Sequence, residues 1–252
     1  MKRHFFAIVL GIAVALSTPY AASADLIFDA SLGGVAGSGL GTVATILTIQ
    51  SPGSTTTESG SVSHSGGADV KSDTGVLASG GTTNVGNVKT GASQTLTQTF
   101  GGNGITKASQ IAIVFNADEP SGNSITLTGL QMSVFNGNTD IFDAHLAASV
   151  TFPTTFTGIG NQGFVFRLNT AEAATLQGLL TPLSSTDLAA LRIGLSASAS
   201  HAEGGPETFN LATITDTLAA ITAVPEPGTF LFVGTALAGL ALVAWRRRSA
   251  RS

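Results

Sequence analysis

The sequence predicts a mainly β ectodomain: an antiparallel sandwich, jelly-roll-like, with one or two short helices and one C-terminal transmembrane helix. Three observations predict it. Apolar or alternating runs of strand length, rich in Val, Ile, Thr and Phe, recur along residues 25–214. Gly, Asn, Pro and Ser separate those runs at short spacing, as sandwiches require. Near the C-terminal end, residues 228–245 form an uncharged run of 18 residues, which as a helix spans roughly 27 Å at about 1.5 Å per residue.

Taken in order, residues 42–49 are β-branched and roughly alternating, and residues 94–100 are polar with apolar breaks, like a half-exposed strand. Residues 111–115 are short, apolar and flanked by polar turns, as expected of a buried strand. Residues 124–128 alternate cleanly and residues 131–135 continue them, with Gly129 marking an expected bulge or bend. Asn136-Gly137 is a hairpin-type turn signal. Residues 163–168, 191–196 and 209–214 complete the strands. A helix is expected over residues 171–180, with Thr170 as N-cap and Glu172 in the first turn, and a second short turn over 187–191. Residues 51–93 are more than half Gly, Ser and Thr with few large apolar side chains. They read as a flexible segment, or as short solvated strands joined by glycine turns.

Composition narrows the function classes. The chain has no cysteine, which excludes thiol nucleophiles, cysteine-ligated zinc, iron–sulfur clusters and disulfides. Residues 25–224 carry 14 Asp and Glu against 5 Lys and Arg, so no nucleic acid partner is expected. The single Trp is Trp245 and the single Tyr is Tyr20, so residues 25–224 lack the rings that usually build sugar-stacking platforms.

Both ends look like signals. Met1-Lys2-Arg3-His4 is cationic, residues 5–16 are apolar, and Ala22-Ser23-Ala24 suits a signal peptidase, with Ala22 and Ala24 as its small-residue site. Residues 1–24 therefore read as a signal peptide and 25–214 as the exported domain. At the other end come a neck over 215–227, the apolar run 228–245, and a cytoplasmic Arg-rich tail over 246–252. Pro225, Glu226 and Pro227 close the neck, and Arg246, Arg247 and Arg248 form a stop-transfer flank.

These C-terminal residues resemble the PEP-CTERM sorting signal of Gram-negative envelope proteins: a Pro-Glu-Pro motif, a transmembrane helix rich in Gly, Ala and Leu, and a short arginine cluster. The resemblance covers about a ninth of the chain. It implies recognition by an exosortase, a membrane-embedded cysteine transpeptidase that processes the tail near the Pro-Glu-Pro motif. The chain would be its substrate, inner-membrane-anchored as a precursor and at the cell surface or extracellular when mature. Proteins with this tail are associated with exopolysaccharide-producing bacteria and with biofilm or floc matrix.

The body offers little chemistry. Asn136, Asn138, Asp140 and Asp143 place oxygens at spacings that suit calcium, the one cofactor considered. The EF-hand pattern is not met, because Ile141 and Ala147 stand where Gly and Glu belong, and a plain hairpin turn is the competing reading. Asn116, Asp118, Glu119 and Asn123 form a second acidic loop, also read as a turn. His64, His145 and His201 show no shared metal spacing, and no Gly-x-Ser-x-Gly elbow is present. Residues 158–163 spell the dinucleotide glycine pattern, but a strand follows where a helix should begin. Gly204-Gly205-Pro206-Glu207 reads as a turn into a strand. No catalytic residue is assigned. The expectation is a non-enzymatic structural or interaction protein of the envelope or extracellular matrix. A polysaccharide-binding module, calcium-dependent or not, is the alternative, and an exported hydrolase a distant third.

Overall fold

The computed structural model describes residues 26–32, 44–51, 55–77, 82–83, 88–91, 93–120, 123–153 and 163–214. Ala22, Ala24, Pro225, Glu226, Pro227, the run 228–245 and Arg246, Arg247 and Arg248 lie outside the described residues. Among the described residues no helix is long and apolar enough to cross a membrane.

Fourteen strands are described: β1 (Leu26–Phe28), β2 (Ala44–Ile49), β3 (Thr57–Ser65), β4 (Ala68–Ser72), β5 (Gly75–Val76), β6 (Thr82–Thr83), β7 (Gln98–Thr99), β8 (Ile111–Asn116), β9 (Ser124–Asn136), β10 (Thr139–His145), β11 (Val150–Pro153), β12 (Gly163–Leu168), β13 (Arg192–Ser200) and β14 (Glu207–Thr213). Two helices, α1 (Thr170–Leu180) and α2 (Ser185–Ala190), lie between β12 and β13. One sheet runs β1-β12-β8-β14-β2. The other runs β10-β9-β13-β3-β4, with β11 paired to β9 and β7 to β13. The pairs within both sheets are antiparallel.

The sheets face each other across one hydrophobic cluster. Ile113, Phe115, Phe166 and Phe209 enter it from the first sheet, and Val62, Leu127, Met132, Val134 and Ile193 from the second. Phenylalanines dominate one region of this core: Phe115 stacks on Phe209 with ring centroids 4.9 Å apart, and Phe28 meets Phe152 edge-on at 5.0 Å. The uniformly apolar β8 is buried on both sides, because Ala112 and Val114 join Val165, Ala212 and Ile214 in a smaller cluster on the opposite face.

Several local expectations resolve differently. The two runs around Gly129 are one 13-residue strand, β9. Its register against β13 slips between Ser198 and Ala199, leaving Thr128 as the extra bulged residue. Gly129 is required there, since a Cβ would overlap the Val76 carbonyl. The Asn136-Gly137 hairpin is present, with a shift of one position: Asn136 pairs with Thr139, and Gly137, at φ 58°, occupies the first central turn position. The cap of α1 is Asn169 rather than Thr170, because its Oδ1 accepts the Glu172 N–H at 2.8 Å.

The largest correction concerns residues 51–93. The described part holds strands rather than a flexible segment: β4, β5 and β6 are short, as the alternative reading had them, but residues 57–65 form the nine-residue strand β3, inside the second sheet between β13 and β4. Its inward positions Glu58, Gly60, Val62 and His64 are buried. Gly60 accommodates Ile49 and Val88, and Gly66 and Gly67, at φ 61° and 78°, make the turn into β4. Sheet pairing, which composition does not report, orders β3 and β4. Likewise most of residues 94–100 is not strand; the chain there runs beside the β2 edge, with Leu96 donating to the Ile46 carbonyl at 2.9 Å.

Candidate functional site: carboxyl groups and a cleft at one pole

The two poles of the domain differ. At one, Leu26 pairs with Leu168, α1 follows directly, and β14 ends where the Ile214 N–H reaches the Gln110 carbonyl at 2.9 Å. The first and last described residues, Leu26 and Ile214, therefore share this pole. At the other pole β8 ends, β12 begins and β14 begins, with Asn116 opposite Gly163 and Thr208.

That second pole carries a polar cleft of about 360 Å³, lined by Gln50, Ser51, Thr55, Thr56, Ala202, Glu203 and Gly204. Behind it three carboxyl groups converge from separate elements. Glu58 is the second residue of β3, Glu207 is the first of β14, and Glu119 follows β8. All are buried, Glu207 completely. Glu58 Oε1 accepts the Ser51 N–H at 2.6 Å. Glu119 accepts the Glu203 N–H with both oxygens, at 3.0 and 2.9 Å. Glu58 Oε2 and both Glu207 oxygens are buried with no hydrogen-bond donor directed at them. Burial first, then the adjacent Glu58 and Glu119, push Glu207 up to about 11. Burial likewise raises Glu119 and Asp118.

The loop over 201–206 closes this site. Gly205 donates to the Asp118 carbonyl at 2.8 Å, and a Cβ on Gly204 or Gly205 would overlap Asp118. The paired glycines of the sequence thus let the loop press against the β8 extension. Glu119, read from sequence as a turn residue, is a member of the buried cluster; Asp118 is buried beside it against Gly205, and Asn123 lies outside and donates to Glu203 Oε2 at 2.9 Å.

The candidate calcium residues sit elsewhere, in the β9–β10 hairpin. Asn138 Oδ1 accepts the Gly67 N–H at 2.9 Å, Asp140 Oδ1 accepts the Phe142 N–H at 3.2 Å, and Asp143 Oδ1 accepts from Gln131 Nε2 at 2.8 Å and from Ser133. Asn136 pairs across the turn. The Asp140 and Asp143 oxygens serve the hairpin and the Asn138 oxygen the β3–β4 turn, and among the described residues no three His, Asp or Glu side chains are grouped to hold a metal ion. Local packing, then the neighbouring Asp143 charge, raise Asp140 to about 6. His64 Nδ1 lies 3.3 Å from Asp69 Oδ1, His145 is opposite Gln131, and His201 adjoins Ser200. The three histidines stay apart.

The comparisons bear on the C-terminal end. The family model of the PEP-CTERM protein-sorting motif matches residues 223–248, a span that includes Pro225, Glu226, Pro227 and Arg246, Arg247 and Arg248. The chain is therefore a PEP-CTERM sorting domain-containing protein. Such a motif marks an exported protein handed to an exosortase, itself a membrane protein. No curated protein matches the chain. Among solved structures, a chain of the "Cryo-EM Atomic Structure of Broad Bean Stain Virus (BBSV)" aligns with a TM-score of 0.24 and 12% identity, over 74% of this chain and 93% of that one. A likeness that distant adds nothing to the fold reading.

Proposed function

We propose that this protein is a non-enzymatic component of the cell envelope or extracellular matrix, displayed as a β domain and delivered through its C-terminal signal. The PEP-CTERM match over residues 223–248 carries this reading. The geometry of the described domain is compatible with display. The last described residue, Ile214, leaves at one pole, with eight residues between it and the matched span, while the polar cleft occupies the opposite pole. The seven residues of β14 separate the two by about 23 Å. In this reading the cleft points away from the attachment end, toward neighbouring matrix.

Replacing Pro225, Glu226 and Pro227 together by alanine is expected to block tail processing and leave the protein in the inner-membrane fraction. Unchanged processing and localisation would refute the sorting reading.

One observation favours a second reading, a polysaccharide-binding domain. The cleft is lined by amide, hydroxyl and carboxylate side chains that suit a polyhydroxylated ligand. Glycan-array binding lost on Thr56→Val would support it, and an array with no binding would leave the structural reading alone.

A further inference from the structure

The carboxyl cluster behind the cleft poses a chemical problem that goes beyond the sorting reading. Glu207 is wholly buried, and the groups around it are mostly acidic. From β3 comes Glu58; from the extension of β8 come Asp118 and Glu119; from the loop before β14 come Glu203 and His201. The strand beside it, β2, contributes the uncharged Ile49 opposite Glu207. His201 is exposed, with its ring against Ser200. The groups that act on Glu207 include no cation. Three adjacent buried carboxylates without a counter-charge would be prohibitively unstable, so at least one must hold a proton.

The donor inventory indicates where the proton sits. Glu58 Oε1 is already engaged by Ser51, and Glu119 is engaged through both oxygens by the Glu203 N–H, with the Gly204 backbone and the Glu207 side chain also reaching it. Glu58 Oε2 and the two Glu207 oxygens remain, buried and without a donor. A proton on Glu207 directed at Glu58 satisfies two of these three atoms in one bond.

We propose that Glu207 and Glu58 share a proton in an acid–carboxylate hydrogen bond joining the two sheets, and that this bond and Glu119 together form a latch fixing both walls of the cleft. One wall is Ser51, held by Glu58, and the other is Glu203, held by Glu119. Opening exposes Glu207 to water, where it ionises at its ordinary value, so rising pH favours the open form even while the closed form keeps its proton. The strong upward displacement of Glu207 fits a carboxyl group that retains its proton through neutral pH. The cleft is thereby tight in mildly acidic surroundings and progressively looser in alkaline ones.

The test is hydrogen–deuterium exchange of the full-length protein in detergent micelles at about pH 5 and about pH 8, with protection corrected for the intrinsic pH dependence of exchange. Peptides containing Ser51 and Glu203 are expected to lose protection by about tenfold or more at the higher pH. Glu207→Gln, which keeps the shape and a donor but cannot ionise, is expected to abolish that loss. An equal loss in the variant, or none in the wild type, overturns the latch. Protection at the higher pH that calcium restores and EDTA removes, in the wild type alone, overturns the proton in favour of a bound cation. Infrared spectroscopy needs no folded variant: a protonated-carboxyl band persisting in the wild type at about pH 8 supports the latch, and its absence overturns it.

Discussion

Asp29 and Glu207 are both buried carboxyl groups, and the domain treats them in opposite ways. Asp29 lies just after β1, where Ser31 donates to Oδ1 through its N–H at 3.0 Å and through its hydroxyl, and Arg167 of β12 reaches Oδ2 at 3.2 Å. Burial alone would raise Asp29, but the Ser31 and Arg167 hydrogen bonds outweigh it and hold the group below its ordinary range. Glu207 is buried more deeply, among two acidic neighbours, and burial and both neighbours push it upward against a single opposing backbone hydrogen bond. A buried carboxyl is thus charged or neutral according to what its partners donate, and burial by itself does not decide.

The two sites impose opposite slopes on stability. Asp29, depressed in the folded state, contributes stability that is present above its ordinary value and lost as pH falls through the lower folded value. Glu207, raised in the folded state, contributes stability that is complete below its ordinary value and lost as pH rises toward about 11. The domain is therefore expected to be most stable in mildly acidic buffer.

Removing the cation at the Asp29 site has the largest expected effect. Arg167→Met leaves a buried carboxylate without its charge partner and should cost about 3–5 kcal/mol in urea unfolding. A cost below about 1 kcal/mol would mean that Ser31 alone neutralises the site. Glu207→Gln should flatten the decline in stability between about pH 5 and about pH 8, a decline limited to about 1.4 kcal/mol per pH unit for one proton. Asp118, Glu119 and Asp140 shift in the same direction, so the difference between variant and wild type reads Glu207, and the wild-type curve alone does not. The smallest change is Ser31→Ala, which removes one of two donors from Asp29 Oδ1 and should cost about 0.5–1.5 kcal/mol with a modest rise of the acid limb.

The contrast also shows what a sequence makes readable. Strand identity came from local pattern, alternating in some runs and unbroken apolar in β8: β2, β8, β9, β12, β13 and β14 are all legible within a few residues. The strand β3 escaped, because Gly, Ser and Thr say little locally and the pairing of β3 with β13 and β4 orders it. The carboxyl cluster escaped for a related reason. Alternation places Glu207 on the same inward face as Phe209 and Leu211, and Glu58 on the face of Val62, so the signal was present. Glutamate is so seldom buried that such positions read as surface until the separate elements that carry them are seen to converge. The sorting motif needed no fold at all, because its information is the linear order of Pro-Glu-Pro, an apolar run and arginines.

Intact mass spectrometry of the protein recovered from its native envelope, with and without the exosortase, tests the central claim most directly. A mass beginning at Asp25 and ending near Pro225–Pro227, lost when the exosortase is deleted, is expected. A mass retaining Arg246 through Ser252 in both strains would contradict it and make the C-terminal segment an ordinary anchor.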